Sequence, residues 1–223
     1  MIGGLGWWAA EYLIHRFVGH GKSTTLPFSR HHKKHHAQAH YFAPIRDKVK
    51  VAGFVIVSLF SFGLIIASWQ VSLAFATGFT SSYLSYEFLH RRAHSHPPIT
   101  RYGRWLRKHH FHHHFMNPKS NHGVITAIGD ILFTTAEKPQ RVKVPEKLAM
   151  PWLIDPHTGD VHQEFSGDFP SFFESKGEEP TEEVFVCSRR YCNRFKGRKD
   201  CCKKIKTQRK TADRKVSGGK KRK

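Results

Sequence analysis

The chain has 223 residues, with 37 Lys/Arg against 17 Asp/Glu and a formal net charge of +20. The excess is local: residues 187–223 hold 17 basic residues and two Asp, which leaves residues 1–186 at only +5. With no C2H2 finger, RNP-like strand or heptad repeat beside them, these charges do not make a dedicated nucleic-acid reader, although Lys/Arg clusters bind phosphate without sequence preference.

Residues 1–19, MIGGLGWWAAEYLIHRFVG, begin apolar and end with Glu11, His15 and Arg16. No basic n-region precedes this run and no A-x-A site follows it, which argues against a cleaved signal peptide. As a helix it would be about 28 Å long, close to the thickness of a bilayer's hydrocarbon core. Residues 21–50 are polar and basic and carry Arg30-His-His-Lys-Lys-His-His36, bracketed by Pro27 and Pro44; the bracket predicts a short helix at a surface. Residues 51–86 contain no charged residue. They read as a transmembrane helical hairpin, with spans near 51–69 and 71–90 and a tight turn near Trp69–Val71. Arg46, Lys48 and Lys50 precede the hairpin, and Arg91, Arg92 and the 101–108 segment follow it. The positive-inside rule therefore places both flanks on the cytoplasmic side.

Residues 95–108 read as a connector with Pro97, Pro98 and Gly103, and Asn117–Gly123 as a turn. An irregular, Pro-rich extension is expected over 139–183. The basic tail, 184–223, has the composition of a disordered segment. Its four cysteines, Cys187, Cys192, Cys201 and Cys202, match no zinc or CxxC spacing and suit a reducing, cytosolic setting.

All 18 histidines lie between His15 and His162. They form two half-sets: His15, His20, then His32, His35, His36; and His90, His94, then His110, His113, His114. Residues i, i+3 and i+4 share a helical face, and imidazole suits Zn, Fe, Cu and Ni. His15 and His20 are five apart, about 140° on a regular helix, so they converge only if the helix ends or bulges between them. Ten ligands exceed what one ion takes. They suit two ions of five or six positions, with positions left for oxygen, in an all-nitrogen site unlike the carboxylate-rich di-iron bundles. Other phases compete: His109, His112 and His113 also read HxxHH, and His31/His35 and His36/His40 are i, i+4 pairs. Glu11 and Glu87 stand four and three residues before a ligand and are candidate acceptors for ring N–H groups.

The four segments EYLIHRFVGH, RHHKKHHAQAHYFAP, YEFLHRRAH and KHHFHHHFMNPKSNHGV, in this order around a hairpin, resemble the histidine boxes of the fatty acid hydroxylase superfamily, also called the sterol desaturase family. The resemblance covers roughly residues 8–135. Its Asn/Gly-Val trailer selects His110, His113 and His114 over the alternative phase, and leaves His109 and His122 as additional ligands or neighbours of the site. It implies an all-α integral membrane protein with a catalytic domain over 1–138, transmembrane helices near 2–19, 51–69 and 71–90, and a histidine-rich helical cap on the cytoplasmic side. It further implies two iron ions (zinc being possible as isolated), O2 as co-substrate, an external electron donor such as cytochrome b5 or ferredoxin, and oxidation of a lipid C–H bond by hydroxylation or desaturation. Two departures stand out. The first box has only about ten residues before it, where the family usually has another helix, and Gly129-Asp130 stands where the trailer often has Trp-Asp. A non-catalytic, His-rich metal-binding membrane protein is the competing reading; ordered spacing favours a built site over a histidine sponge.

Overall fold

The structure, a computed structural model, describes residues 2–173; the tail from residue 184 lies outside them. The described residues are helical and contain no strand, only an isolated antiparallel bridge between Ile154 and Val161. In order they form α1 (Ile2–Leu13), which runs into a π-helical turn (Ile14–Gly19), then α2 (Pro27–Ala37), α3 (Ile45–Ile66), α4 (Trp69–Ser95), α5 (Arg101–Phe115) and α6 (Ile128–Leu132). Three 3-10 turns follow, at Glu146–Leu148, Pro151–Leu153 and Gln163–Phe165.

α3 and α4 make the expected hairpin. Its turn is Ala67–Ser68, just before the place expected from the sequence, because both residues take up extended backbone between the two helices. α3 begins at Ile45, ahead of the apolar run, with Pro44 in the conformation that starts a helix. The extra turn carries Lys48 to an ion pair with Glu87 of α4. No residue of α3 is buried, and among the described residues it is the one helix long and apolar enough to cross a membrane. The expected spans near 2–19 and 71–90 do not meet that test. α4 is long but dotted with hydroxyls, and Ser72, Thr80 and Ser85 donate them to the carbonyls four residues back at 2.9, 2.8 and 2.9 Å, which satisfies them within the helix. α1 lies along α4, with Trp7 edge-on to Phe79 and Tyr83 at 5.4 and 5.0 Å.

The connector expected over 95–108 is much shorter. α5 starts at Arg101 because the Thr100 hydroxyl accepts the Gly103 N–H at 3.0 Å, a side-chain cap that satisfies one of the helix's orphan donors. From Leu106 to His114 every residue of α5 except Lys108 is buried. α5 is thus the central element. One face meets α2 and α4, another the loop after residue 117, and a third the extension. That extension has no long helix, yet its described part is closely packed: Met150, Leu153, Phe165 and Phe169 form a core around Phe111 of α5.

Candidate metal centre

The first box shows how local backbone directs ligands. A regular helix would splay His15 and His20 apart. Here the π-helical turn Ile14–Gly19, closed by the His20 N–H on the His15 carbonyl at 3.2 Å, lays residues i and i+5 over one another. Gly19 lets α2 approach, since a Cβ there would stand 2.9 Å from the His32 ring.

Ten histidines gather into two groups. His15, His20, His32, His36 and His113 each present a ring nitrogen within 4.8 Å of the others, and His35, His90, His94, His110 and His114 do the same. We call these the first and second centres. The first and third boxes each serve one centre, whereas the second and fourth are split. His32 and His36 turn to the first centre and His35 to the second; His110 and His114 turn to the second and His113 to the first. Each centre therefore takes one pair from an apolar helix, one i, i+4 pair from a box, and the odd histidine of the other box. The centres adjoin where the His36 and His114 rings stack, 4.1 Å between centroids and 3° from parallel.

The donor chemistry fits metal ions. His15 gives its Nδ1–H to the His122 carbonyl, His35 to the Tyr41 carbonyl at 2.8 Å, and His113 to the Ser120 carbonyl at 2.7 Å. This leaves a lone pair on each Nε2. Those nitrogens nevertheless face others: His15 Nε2 is 3.1 Å from His32 Nε2, His35 Nε2 is 3.0 Å from His90 Nε2, and His113 Nε2 is 2.9 Å from His20 Nε2. Buried His36 Nε2 and both ring nitrogens of His114 have no hydrogen-bond partner. A cation satisfies converging lone pairs, and two nitrogens bound at right angles to one ion at about 2.1 Å lie about 3 Å apart. Burial keeps the cap rings in the neutral, ligating form. Desolvation lowers His20 and His35 to about 4 and His36 to about 3, and holds His32, His110, His113 and His114 well below the ordinary value.

The residues expected to surround the ligands fall elsewhere. His109 lies over Trp105, ring centroids 5.0 Å apart, with Nε2 3.5 Å from Asp130, and His112 Nε2 is 3.2 Å from Glu137. Both point away from the two centres. His122 is buried beside the first centre, its ring centroid 5.3 Å from that of His113, but it belongs to neither group. Glu11 accepts the Val124 N–H at 2.7 Å and Glu87 is engaged by Lys48. For His15, His35 and His113 the ring N–H partners are loop carbonyls, which lie outside the helices and are free to accept.

Asp130 was visible in the sequence only as half of an altered trailer. It is fully buried and accepts the N–H groups of His122 and Gly123, each at 2.8 Å, and the Thr135 hydroxyl at 2.7 Å. Burial alone would raise its pKa, but the neighbouring His109 and His122 rings, 3.5 and 3.7 Å away, and hydrogen bonds from the Gly123 N–H and the Thr135 hydroxyl hold it well below the usual carboxylate range. It thereby anchors the loop whose carbonyls orient His15 and His113. Its neighbour Gly129 is pressed against α1: a Cβ there would stand 2.5 Å from the Tyr12 ring, so a tryptophan at this position would require α1 to move.

The chain is similar to the fatty acid 2-hydroxylases of Rattus norvegicus, 31% identical over 147 residues covering 60% of this chain and 38% of that protein, and of Homo sapiens, 31% identical over 149 residues covering 62% and 40%. It thus spans about two fifths of the length of these relatives. No solved structure matches it. The pattern of the fatty acid hydroxylase family matches residues 1–135, all four histidine boxes included, and the chain belongs to that family.

Proposed function

We propose that the chain is the catalytic part of a membrane-bound di-iron oxygenase that hydroxylates a C–H bond of a lipid. The substrate class we infer is a fatty acyl chain, and the names of its relatives suggest carbon 2 as the position oxidised. The overall change is R–H + O2 + 2 e− + 2 H+ → R–OH + H2O, with the electrons from an external donor such as cytochrome b5 or ferredoxin. The observation that carries this reading is the convergence of ten imidazoles in two groups of five, with no carboxylate in either group.

When bound, a pair of irons supplies the redox chemistry for O2 activation. The chain's residues do the rest. His15, His20, His32, His36 and His113 would hold one ion, and His35, His90, His94, His110 and His114 the other. The carbonyls of Tyr41, Ser120 and His122 keep Nδ1 of their partners protonated and turn Nε2 inward. Burial of His94, His110 and His113 at 1% exposure or less excludes bulk water. The basic residues on both sides of the hairpin support a cytoplasmic position for both centres. Residues 1–138 form the catalytic domain in this reading.

The test is metal analysis of detergent-purified protein, followed by incubation with a fatty acid, 18O2, a reductase and ferredoxin. About two irons per chain and a hydroxy acid carrying 18O are expected; a chain that retains neither iron nor zinc, or a product oxygen that comes from water, would sink the proposal. An alkene product in place of the alcohol would make the enzyme a desaturase, since both outcomes begin with removal of a hydrogen.

A further inference from the structure

Arg107 stands one turn before His110 in a segment rich in basic residues, yet it is only 4% exposed. Its guanidinium bonds to backbone carbonyls. Nη2 donates to Arg92 O at 3.0 Å and His96 O at 2.6 Å, Nε to His96 O at 3.2 Å, and Nη1 to Gly103 O at 2.9 Å. Arg92 and His96 are the last turn and the cap of α4, where the helix dipole is negative; the Arg92 carbonyl also accepts the His96 N–H at 3.0 Å, and the His96 carbonyl lies past the helix's last bond. One side chain of α5 thus closes the end of α4 across the 96–100 connector. Trp152 lies against the same guanidinium, 5.4 Å from ring centroid to Cζ, and also stacks on Phe111. Trp152 belongs to the extension, beyond the stretch that matches the family.

The two centres depend on this junction unequally. The second draws His90 and His94 from α4 and His110 and His114 from α5, four of its five members. The first draws none from α4. We propose that Arg107, held under Trp152, is a positioning residue that sets the angle between α4 and α5, and with it the ligand geometry of the second centre alone. Lysine would not replace it: an ammonium keeps the charge, but it lacks the planar fork that reaches three carbonyls at once. The extension acts as a brace for a metal site to which it contributes no ligand.

This inference rests on the two-centre reading, and the experiment separates the two. Metal-free protein in detergent is titrated with cobalt(II), and bound metal is counted after equilibrium dialysis. Wild type should bind about two ions, whereas in Arg107→Lys one ion binds as before and the other roughly 10- to 100-fold more weakly, the usual cost of losing an outer partner of a metal site. Added to His15→Ala, Arg107→Lys should weaken the ion that remains; added to His94→Ala, it should change nothing. Trp152→Leu should give the same pattern in smaller measure, and serves if the arginine variant does not fold. Two undiminished sites in Arg107→Lys, or equal weakening of both, would overturn the proposal. Undiminished binding in His94→Ala would instead overturn the metal-centre reading on which it rests.

Discussion

α3 and α5 reverse the usual relation between composition and burial. α3 is 22 residues long and strongly apolar, and none of it is buried. α5 packs five histidines and four Arg/Lys into 15 residues and is enclosed from Leu106 to His114, Lys108 excepted. In a water-soluble protein the assignments would be exchanged. The difference follows from what surrounds each helix. Acyl chains solvate apolar side chains as well as a protein core does, so α3 needs no protein partner beyond α4. Polar side chains are enclosed only where each finds an acceptor or a cation, and α5 supplies these on every face: facing imidazoles on one, Asp130 and Glu137 on the second, and α4 carbonyls for Arg107 on the third.

The sharpest test of this contrast removes a ligand. His110→Ala or His35→Ala should bring lipid oxidation to background and lower bound metal, while the protein remains in the membrane after alkaline extraction. Retained metal in both would show that the enclosed face of α5 and α2 is not a site. Acid comes next. An unfolded chain protonates its histidines near pH 6.5, whereas His20, His35 and His36 stay neutral in the fold down to about 4, 4 and 3. The unfolded state therefore binds more protons in that window, and the metal-free protein should lose stability steadily as pH falls from 6.5 toward 4; a flat profile in calorimetry would mean that these rings are solvated. The same residue type then compares the two helices directly. Phe111, fully buried, should cost about 3–5 kcal/mol when cut to alanine. Phe54, 74% exposed on α3, should cost less than about 0.5 kcal/mol in detergent. Equal costs would show that α3 packs against protein after all. The smallest effect belongs to the tail: removing residues 187–223 should leave metal content unchanged.

Eight of the ten converging histidines were legible because two periodicities, i, i+4 and i, i+3, i+4, mark a helical face whatever that face meets; His15 and His20, five apart, converge only through the π-helical turn. The hairpin was legible from the uncharged run at 51–86. The start of α3 was not, because Arg46, Asp47, Lys48 and Lys50 look like the end of a membrane span and not like its first turn. Nor was the start of α5, whose cap Thr100 stands behind two prolines. The division of each HxxHH box between centres could not be read, since spacing gives a face but not which neighbour lies across it. Asp130 and Arg107 resembled solvated charges, because nothing local distinguishes a charge at the surface from one that loop amides or helix-end carbonyls will satisfy after folding.

The π-helical turn at Ile14–Gly19 solves a problem of gearing. α1 must keep Trp7 against Phe79 and Tyr83, while the residues after it must aim two imidazoles into the cap. A regular helix couples these demands rigidly, because every residue turns the next by about 100°. One widened turn disengages them, so that the face α1 offers to α4 and the face it offers to the cap can be set separately. Deleting one residue between His15 and His20 would restore the HxxxH spacing of the third box and a uniform helix. It would also rotate α1 by about 100° relative to the cap, carrying Trp7 off its partners. The five-residue spacing thus records an angular mismatch between the half of the molecule that packs along α4 and the half that carries the histidine cap.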